Sequence, residues 1–194
     1  MKRVLFVCCL TLLLLPSTGH AGSIFSGHVD TNGFIEPMVQ IGDFYTDTVT
    51  FLGARGGVIF DHKLMAGASI YTMLSDVIIT TEEDSTRLVK VTYGGFELEY
   101  TFWSDSVVHP TISTLLGVGG IKYRNPLVGS FYDPDSDTVF VAAPMLQIMI
   151  NITDFARLAF GGGYRYVSGV DLRELSDSDT SGAYGSVGLK LGAF

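Results

Sequence analysis

The chain has 194 residues, 47% of them apolar and only 16% charged, and it carries a net charge of −8. That balance excludes disorder, and a pI near 4.8 excludes nucleic-acid binding, because too few cations are present to displace phosphate counterions. Two cysteines among 23 glycines exclude a disulfide scaffold, a zinc ribbon, a collagen and a coiled coil, which leaves an all-β or membrane class.

The first element is a targeting signal. Lys2 and Arg3 precede an apolar run from Val4 to Leu15, and Pro16 and the small residues Gly19 and Ala21 follow it. This is the layout of a secretory signal peptide, with cleavage expected after Ala21. Cys8 and Cys9 leave with it, and loss of Lys2 and Arg3 takes the net charge from −8 to −10. Residues 22–32 read as a lead and 33–194 as one domain. The longest later uncharged runs, Ser106 to Ile121 and Thr138 to Thr153, are sixteen residues each and contain prolines. Both fall short of a spanning helix. An exported, oily chain without spanning helices is expected to close into a barrel, where every backbone group pairs between strands.

Period-two alternation predicts eight strands. The first, about 33–43, sets Ile35, Pro37, Val39 and Ile41 against Glu36, Met38, Gln40 and Gly42. The second, about 51–60, sets Leu52, Ala54, Val58 and Phe60 against Arg55 and Gly57. A third follows over 64–74 and a fourth over 88–102, where Phe96, Leu98, Tyr100 and Phe102 oppose Glu97, Glu99 and Thr101. Val89, Val91 and Tyr93 share the parity of the glutamates, so a β-bulge is expected at Gly94-Gly95. The fifth, about 108–123, sets Ile112, Leu116 and Val118 against His109, Ser113, Gly117 and Gly119. The sixth covers 138–150. The seventh, 156–167, sets Leu158, Phe160, Tyr164 and Tyr166 against Arg157, Gly161, Gly163 and Arg165. The eighth, 183–194, sets Val187, Leu189 and Leu191 against Ser186 and Lys190.

Three predicted joints are short, at 61–63, 103–106 and 151–155. Four are longer and polar, at 44–50, 75–87, 124–137 and 168–182. With these joints and with Phe44, Phe60, Trp103, Tyr123, Phe155 and Tyr166 near strand ends, the chain resembles the small eight-stranded outer-membrane barrels of the OmpA and OmpX type. The resemblance covers Gly33 to Phe194 and implies an all-β, eight-stranded antiparallel up-and-down transmembrane β-barrel. It implies short periplasmic turns, extracellular loops, and export through the Sec pathway into the outer membrane of a diderm bacterium. It also implies contacts with outer-membrane lipids, lipopolysaccharide and the barrel-assembly machinery, a monomer, and Phe194 as an assembly signal. The positions counted back from Phe194 in twos are Gly192, Lys190 and Gly188, opposite in phase to the apolar residues.

A soluble lipocalin-like barrel would show the same alternation inside out. The polar faces carry few charges and many small residues, which suits a narrow lumen better than a water-facing surface. The expected lumen charges are Glu36, Arg55, Glu97, Glu99, Arg157, Arg165 and Lys190. Glu36 and Arg55 lie at similar heights on adjacent strands and are expected to face each other. Glu97 and Glu99 are expected to meet Arg157, Arg165 or Lys190, because a lone buried carboxylate is costly.

The predicted loops are acidic. Asp133, Asp135 and Asp137 have an alternating spacing like that of a calcium loop, but the glycine and glutamate such a loop needs do not follow. They read as loose contacts for divalent cations. No metal site or cofactor is expected. His62 and His109 lie on the short-turn side and His28 in the lead, so the rim lacks a base for lipid-A acyl transfer, and no catalytic residue is assigned. The expected role is structural or surface-interacting, in adhesion or envelope integrity through the acidic loops. A narrow channel for ions or small hydrophobic molecules is the alternative, and a lipid-A-modifying enzyme a weaker one.

Overall fold

A β-strand carries unpaired N–H and C=O groups along both edges, and hydrocarbon offers them no water. The computed structural model describes residues 30–80, 86–124, 136–172 and 175–194; the predicted signal peptide lies outside them. Among the described residues the strands are β1 (Thr31–Phe44), β2 (Asp47–Phe60), β3 (Leu64–Met73), β4 (Val77–Thr80), β5 (Thr86–Thr101), β6 (Val108–Arg124), β7 (Ser136–Thr153), β8 (Ala156–Ser168) and β9 (Gly182–Gly192). One helical turn, α1 (Asp177–Thr180), precedes β9. Every pairing is antiparallel and joins neighbours in sequence, save β3 with β5 and β1 with β9. Pairing of β1 with β9 closes the wall. The result is an eight-stranded barrel with β4 as an additional short strand.

The outer face is apolar and the inner face polar. Ile35 and Leu146 are 63% and 64% exposed, whereas Glu36 is 0% and Arg55 2%. This is a membrane barrel, and the soluble reading with reversed faces falls. On β6 the outward apolar residues run from Val108 to Val118, after which Lys122 faces out. That band is about the 9–11 residues a tilted strand needs to cross. The strand then continues to Arg124, paired with β5 and β7. The strands therefore rise past the apolar band on the side of the longer connections.

This extension shortens two of the predicted loops. The joint expected at 44–50 is a two-residue turn, Tyr45-Thr46, with Phe44 opposite Asp47. Tyr45 takes a positive φ of 56° there. The joint expected at 75–87 contains β4 and the start of β5, paired Val77 to Val89 through Thr80 to Thr86. Threonine and valine are good strand formers even where polarity suggests a loop.

The bulge expected at Gly94-Gly95 is absent. The β3–β5 register runs without a break from Thr72 opposite Thr92 to Leu64 opposite Tyr100. The irregularity lies in the facing strand, at Leu74-Ser75-Asp76 between β3 and β4. Lys90 spans that break, with Nζ 3.1 Å from Leu74 O, 3.0 Å from Ser75 O and 2.6 Å from Asp76 Oδ1. Val89, Val91 and Tyr93 face the lumen with Glu97 and Glu99, so no change of parity is required.

Candidate functional site

The lumen is filled in layers. At mid-height Arg55 on β2 sits among three carboxylates. Its Nε donates to Glu36 Oε2 at 2.9 Å, and its Nη1 to Glu97 Oε1 at 2.7 Å. Its Nη2 donates to Gln147 Oε1 at 2.7 Å and lies 2.9 Å from Glu99 Oε2. Lys190 on β9 reaches Glu99 Oε1 at 2.5 Å and Glu36 Oε2 at 3.6 Å. The layer thus ties β1, β2, β5, β7 and β9 across the barrel. It holds because every ion has an opposite partner within contact distance, the condition under which burial of charge is tolerated. Glu36 and Arg55 are direct cross-strand neighbours. Gly188 leaves room beside them, since a Cβ there would stand 2.5 Å from Glu36 Oε1.

Above the ions, toward the outer rim, the lumen is apolar. Phe44, Val49, Phe51, Tyr71, Val89, Tyr93 and Ile121 are among the buried residues of one continuous cluster. Tyr71 and Tyr93 stack with centroids 5.0 Å apart, and Phe51 meets Tyr93 edge-on at 5.5 Å. Their hydroxyls find acceptors below, Tyr93 on Gln40 Oε1 at 2.7 Å and Tyr71 on Met38 Sδ at 2.9 Å. Phe44, expected near the aromatic rim, belongs to this plug at 1% exposure, whereas Trp103, Phe155 and Tyr166 are exposed on the outer face.

The connection from β8 to β9 covers the plug. Leu175 is buried in the apolar cluster, and Val170 and Leu172 pack against it. Asp177 Oδ1 accepts the N–H groups of Gly169 at 2.9 Å and Val170 at 2.8 Å. Asp179 Oδ2 accepts from Ser176 N at 2.9 Å in a capping box, and Tyr45 N donates to Asp179 O. Asp137, expected in a loop, lies at the start of β7 and ties the β8–β9 connection to that strand, its Oδ2 accepting from Asp171 N and its Oδ1 from Thr138 N at 2.8 Å. Asp133 and Asp135 lie outside the described residues.

Two of the expected lumen cations depart from their expected roles. Arg165 is buried high in the lumen and holds the cap: Nε donates to Thr180 O at 3.2 Å and Nη2 to Asp43 O at 2.8 Å. Its guanidinium lies 4.6 Å from the Phe51 centroid. Arg157 stands at the other end, 4.0 Å from the Phe194 ring centroid. Neither forms an ion pair with a carboxylate among the described residues; Arg55 and Lys190 take those partners instead. Phe194 turns toward the lumen, against buried Phe34, Ile59 and Met65. This agrees with its parity alongside Lys190 and does not place its ring on the lipid face.

Gln147, Gln40, Tyr71 and Tyr93 were missed as site residues. Parity was the available signal for Tyr93, which shares that of Glu97 along one strand. Gln147 had a weaker one, as the polar residue in an apolar stretch of β7. His62 lies in the turn between β2 and β3, and buried His109 pairs Nδ1 with Ser106 O at 3.0 Å. His28 is outside the described residues.

No sequence-family profile and no curated protein matches the chain. Solved structures do. Neisserial surface protein A is 11% identical, with a TM-score of 0.59, over 85% of this chain and 99% of that one. Ail, the attachment invasion locus protein of Yersinia pestis, solved with the heparin analogue sucrose octasulfate, is 11% identical with a TM-score of 0.50, over 84% and 97%. OprG, an outer membrane protein from Pseudomonas aeruginosa, is 13% identical with a TM-score of 0.49, over 86% and 97%. The first two establish the fold: a small eight-stranded outer-membrane barrel.

Proposed function

We propose that this outer-membrane barrel acts through its outer rim, in surface attachment or envelope integrity, and does not conduct solutes. The observation that carries the reading is closure of the lumen: the ion layer around Arg55, the aromatic plug and the β8–β9 cap lie one above another. Function is then left to the rim, whose connections are rich in Asp and Glu. An acidic rim favours partners with basic segments and repels polyanions. Ail was solved with an anionic sugar analogue; for this chain the rim charge points to the opposite ligand sign. On the same reading the chain is exported through Sec, folded by the barrel-assembly machinery and held as a monomer among lipopolysaccharide.

The test has two arms on protein refolded into planar bilayers and nanodiscs. The bilayer should show no unitary conductance beside a porin control. The nanodisc should retain poly-lysine, less so as salt screens the rim, and should not retain heparin. Stable conductance steps would overturn closure and establish the narrow channel. Heparin capture, or no salt dependence, would overturn the rim reading while leaving closure standing.

A further inference from the structure

Arg157 stands apart from the other lumen cations. It lies on β8 between Asn151 of β7 and Lys190 of β9. The residue is 6% exposed, and its Nε is buried without an acceptor. Among the described residues its directed contact is the face of Phe194, and no acceptor or carboxylate meets its five N–H donors. Glu99 acts on it only at longer range, having given its oxygens to Lys190 and Arg55. Residues 1–29 contain no Asp or Glu.

A cavity of about 210 Å³ opens beside this guanidinium at the periplasmic mouth, lined by Asn151, Ile152, Thr153, Asp154, Arg157 and Phe194. At ~30 Å³ per water it has room for about seven waters, and so for one tetrahedral oxyanion. Asn151 directs Nδ2 to Ser106 O at 3.2 Å, which leaves its buried Oδ1 without a donor. Thr153 Oγ1 is taken by Phe155 N at 3.3 Å. Asp154 is exposed, so its charge is solvated, yet it opposes a highly charged anion. The wall thus offers a planar fork of cationic donors and one acceptor.

We propose that the periplasmic mouth is a phosphate site, in which Arg157 holds the anionic oxygens and Asn151 Oδ1 accepts from a P–OH. A guanidinium suits this group because its fork matches two oxygens at once. The Phe194 ring fixes the plane of the fork from the other side. The Arg157 fork takes the anionic oxygens of free phosphate or of the phosphodiester of an inner-leaflet lipid alike; the lipid has no P–OH, and there a headgroup glycerol hydroxyl donates to Asn151 Oδ1 instead.

The test is a titration of the whole refolded protein in a phosphate-free glycoside detergent, followed by NMR of the arginine Nε–H resonances. R157Q, checked for folding by its faster migration before boiling, assigns the Arg157 signal. Inorganic phosphate should shift that signal saturably, with millimolar affinity, and chloride should not. Read instead from the backbone amide shifts of Asn151 and Thr153, which every variant keeps, R157Q should weaken phosphate binding by about tenfold or more, and R157K, which keeps charge without the fork, should fall between. A second arm replaces phosphate with short-chain phosphatidylglycerol; saturation by the lipid alone supports the site and assigns it to headgroups. A shift that never saturates, or that chloride reproduces, overturns the proposal. So does an Arg157 signal already protected before any anion is added and released by D154N, which would make Asp154 the partner.

Discussion

Removing the guanidinium of Arg55 would leave Glu36, Glu97 and Glu99 with Lys190 as the one cation within contact distance among the described residues. Breaking a buried ion cluster on one side costs about 3–5 kcal/mol, more than the pairing itself contributes, because the stranded charge keeps its desolvation cost. R55A should therefore lower stability by about that amount in urea titrations of the detergent-refolded protein. Combining R55A with E97Q should recover part of the loss, since one of the stranded carboxylates is then neutral. A cost under ~1 kcal/mol for R55A would mean that the layer is solvated and that closure at this height is incomplete. At this scale the sequence was informative only where partners are neighbours in register. Glu36 and Arg55 sit opposite each other on adjacent strands. Glu97 and Glu99 meet Arg55 and Lys190 across the lumen, and spacing along the chain carries no signal for which of four cations they reach.

The β8–β9 connection shows how an acidic segment becomes structure. Asp171, Asp177 and Asp179 lie in the acidic joint expected at 168–182. In the fold, Asp177 and Asp179 accept main-chain N–H groups, and Leu175 plugs the barrel beneath them. A carboxylate bonded to two N–H groups is worth roughly 1.5–3 kcal/mol per charged hydrogen bond at most, and less at an exposed site. D177A should release the cap without opening the wall. Amide exchange at Gly169 and Val170 should rise, and proteases should cut within 169–181, while the β-sheet spectrum is unchanged. Unaltered exchange at those two amides would show that apolar packing of Leu175 alone holds the cap. The β3–β4 break follows the same logic, because Lys90 is bound to the carbonyls that the missing ladder bonds leave free.

The whole molecule is stable only where its apolar band meets hydrocarbon. Side chains such as Ile70, Val118 and Leu146 are more than half exposed on the outer face, and in water that surface would drive association. In detergent the protein should migrate faster unboiled than boiled and give a β circular-dichroism spectrum; without detergent it should precipitate. A soluble, unshifted species would contradict the assignment of faces. Closure of the wall also sets the height of the lumen contents. Strands of 16 to 18 residues, as in β5, β6 and β7, outrun a band that takes about 9–11. The surplus carries Val89 and Ile121 of the plug toward the side of the longer connections.

The wall was legible in the order of residues along the chain. Alternation is a local property of each strand, so the inward and outward sets could be read residue by residue, save on the fourth predicted strand, where a bulge was expected at Gly94-Gly95 and Val89, Val91 and Tyr93 instead face the lumen with Glu97 and Glu99. The position of Phe194 on the lumen parity was legible in the same way. The tertiary structure decided everything that depends on distance across the barrel. Which carboxylate meets which cation is set by shear and height between strands that share no sequence neighbourhood. The length of a loop is set by whether flanking residues find a strand to pair with, and the hydroxyl-rich flanks of the first two loops found one. The separate environments of Arg55, Arg157 and Arg165 follow from the same cause: parity sends all three inward, and only closure of the sheet assigns one to the ions, one to the cap and one to the periplasmic mouth.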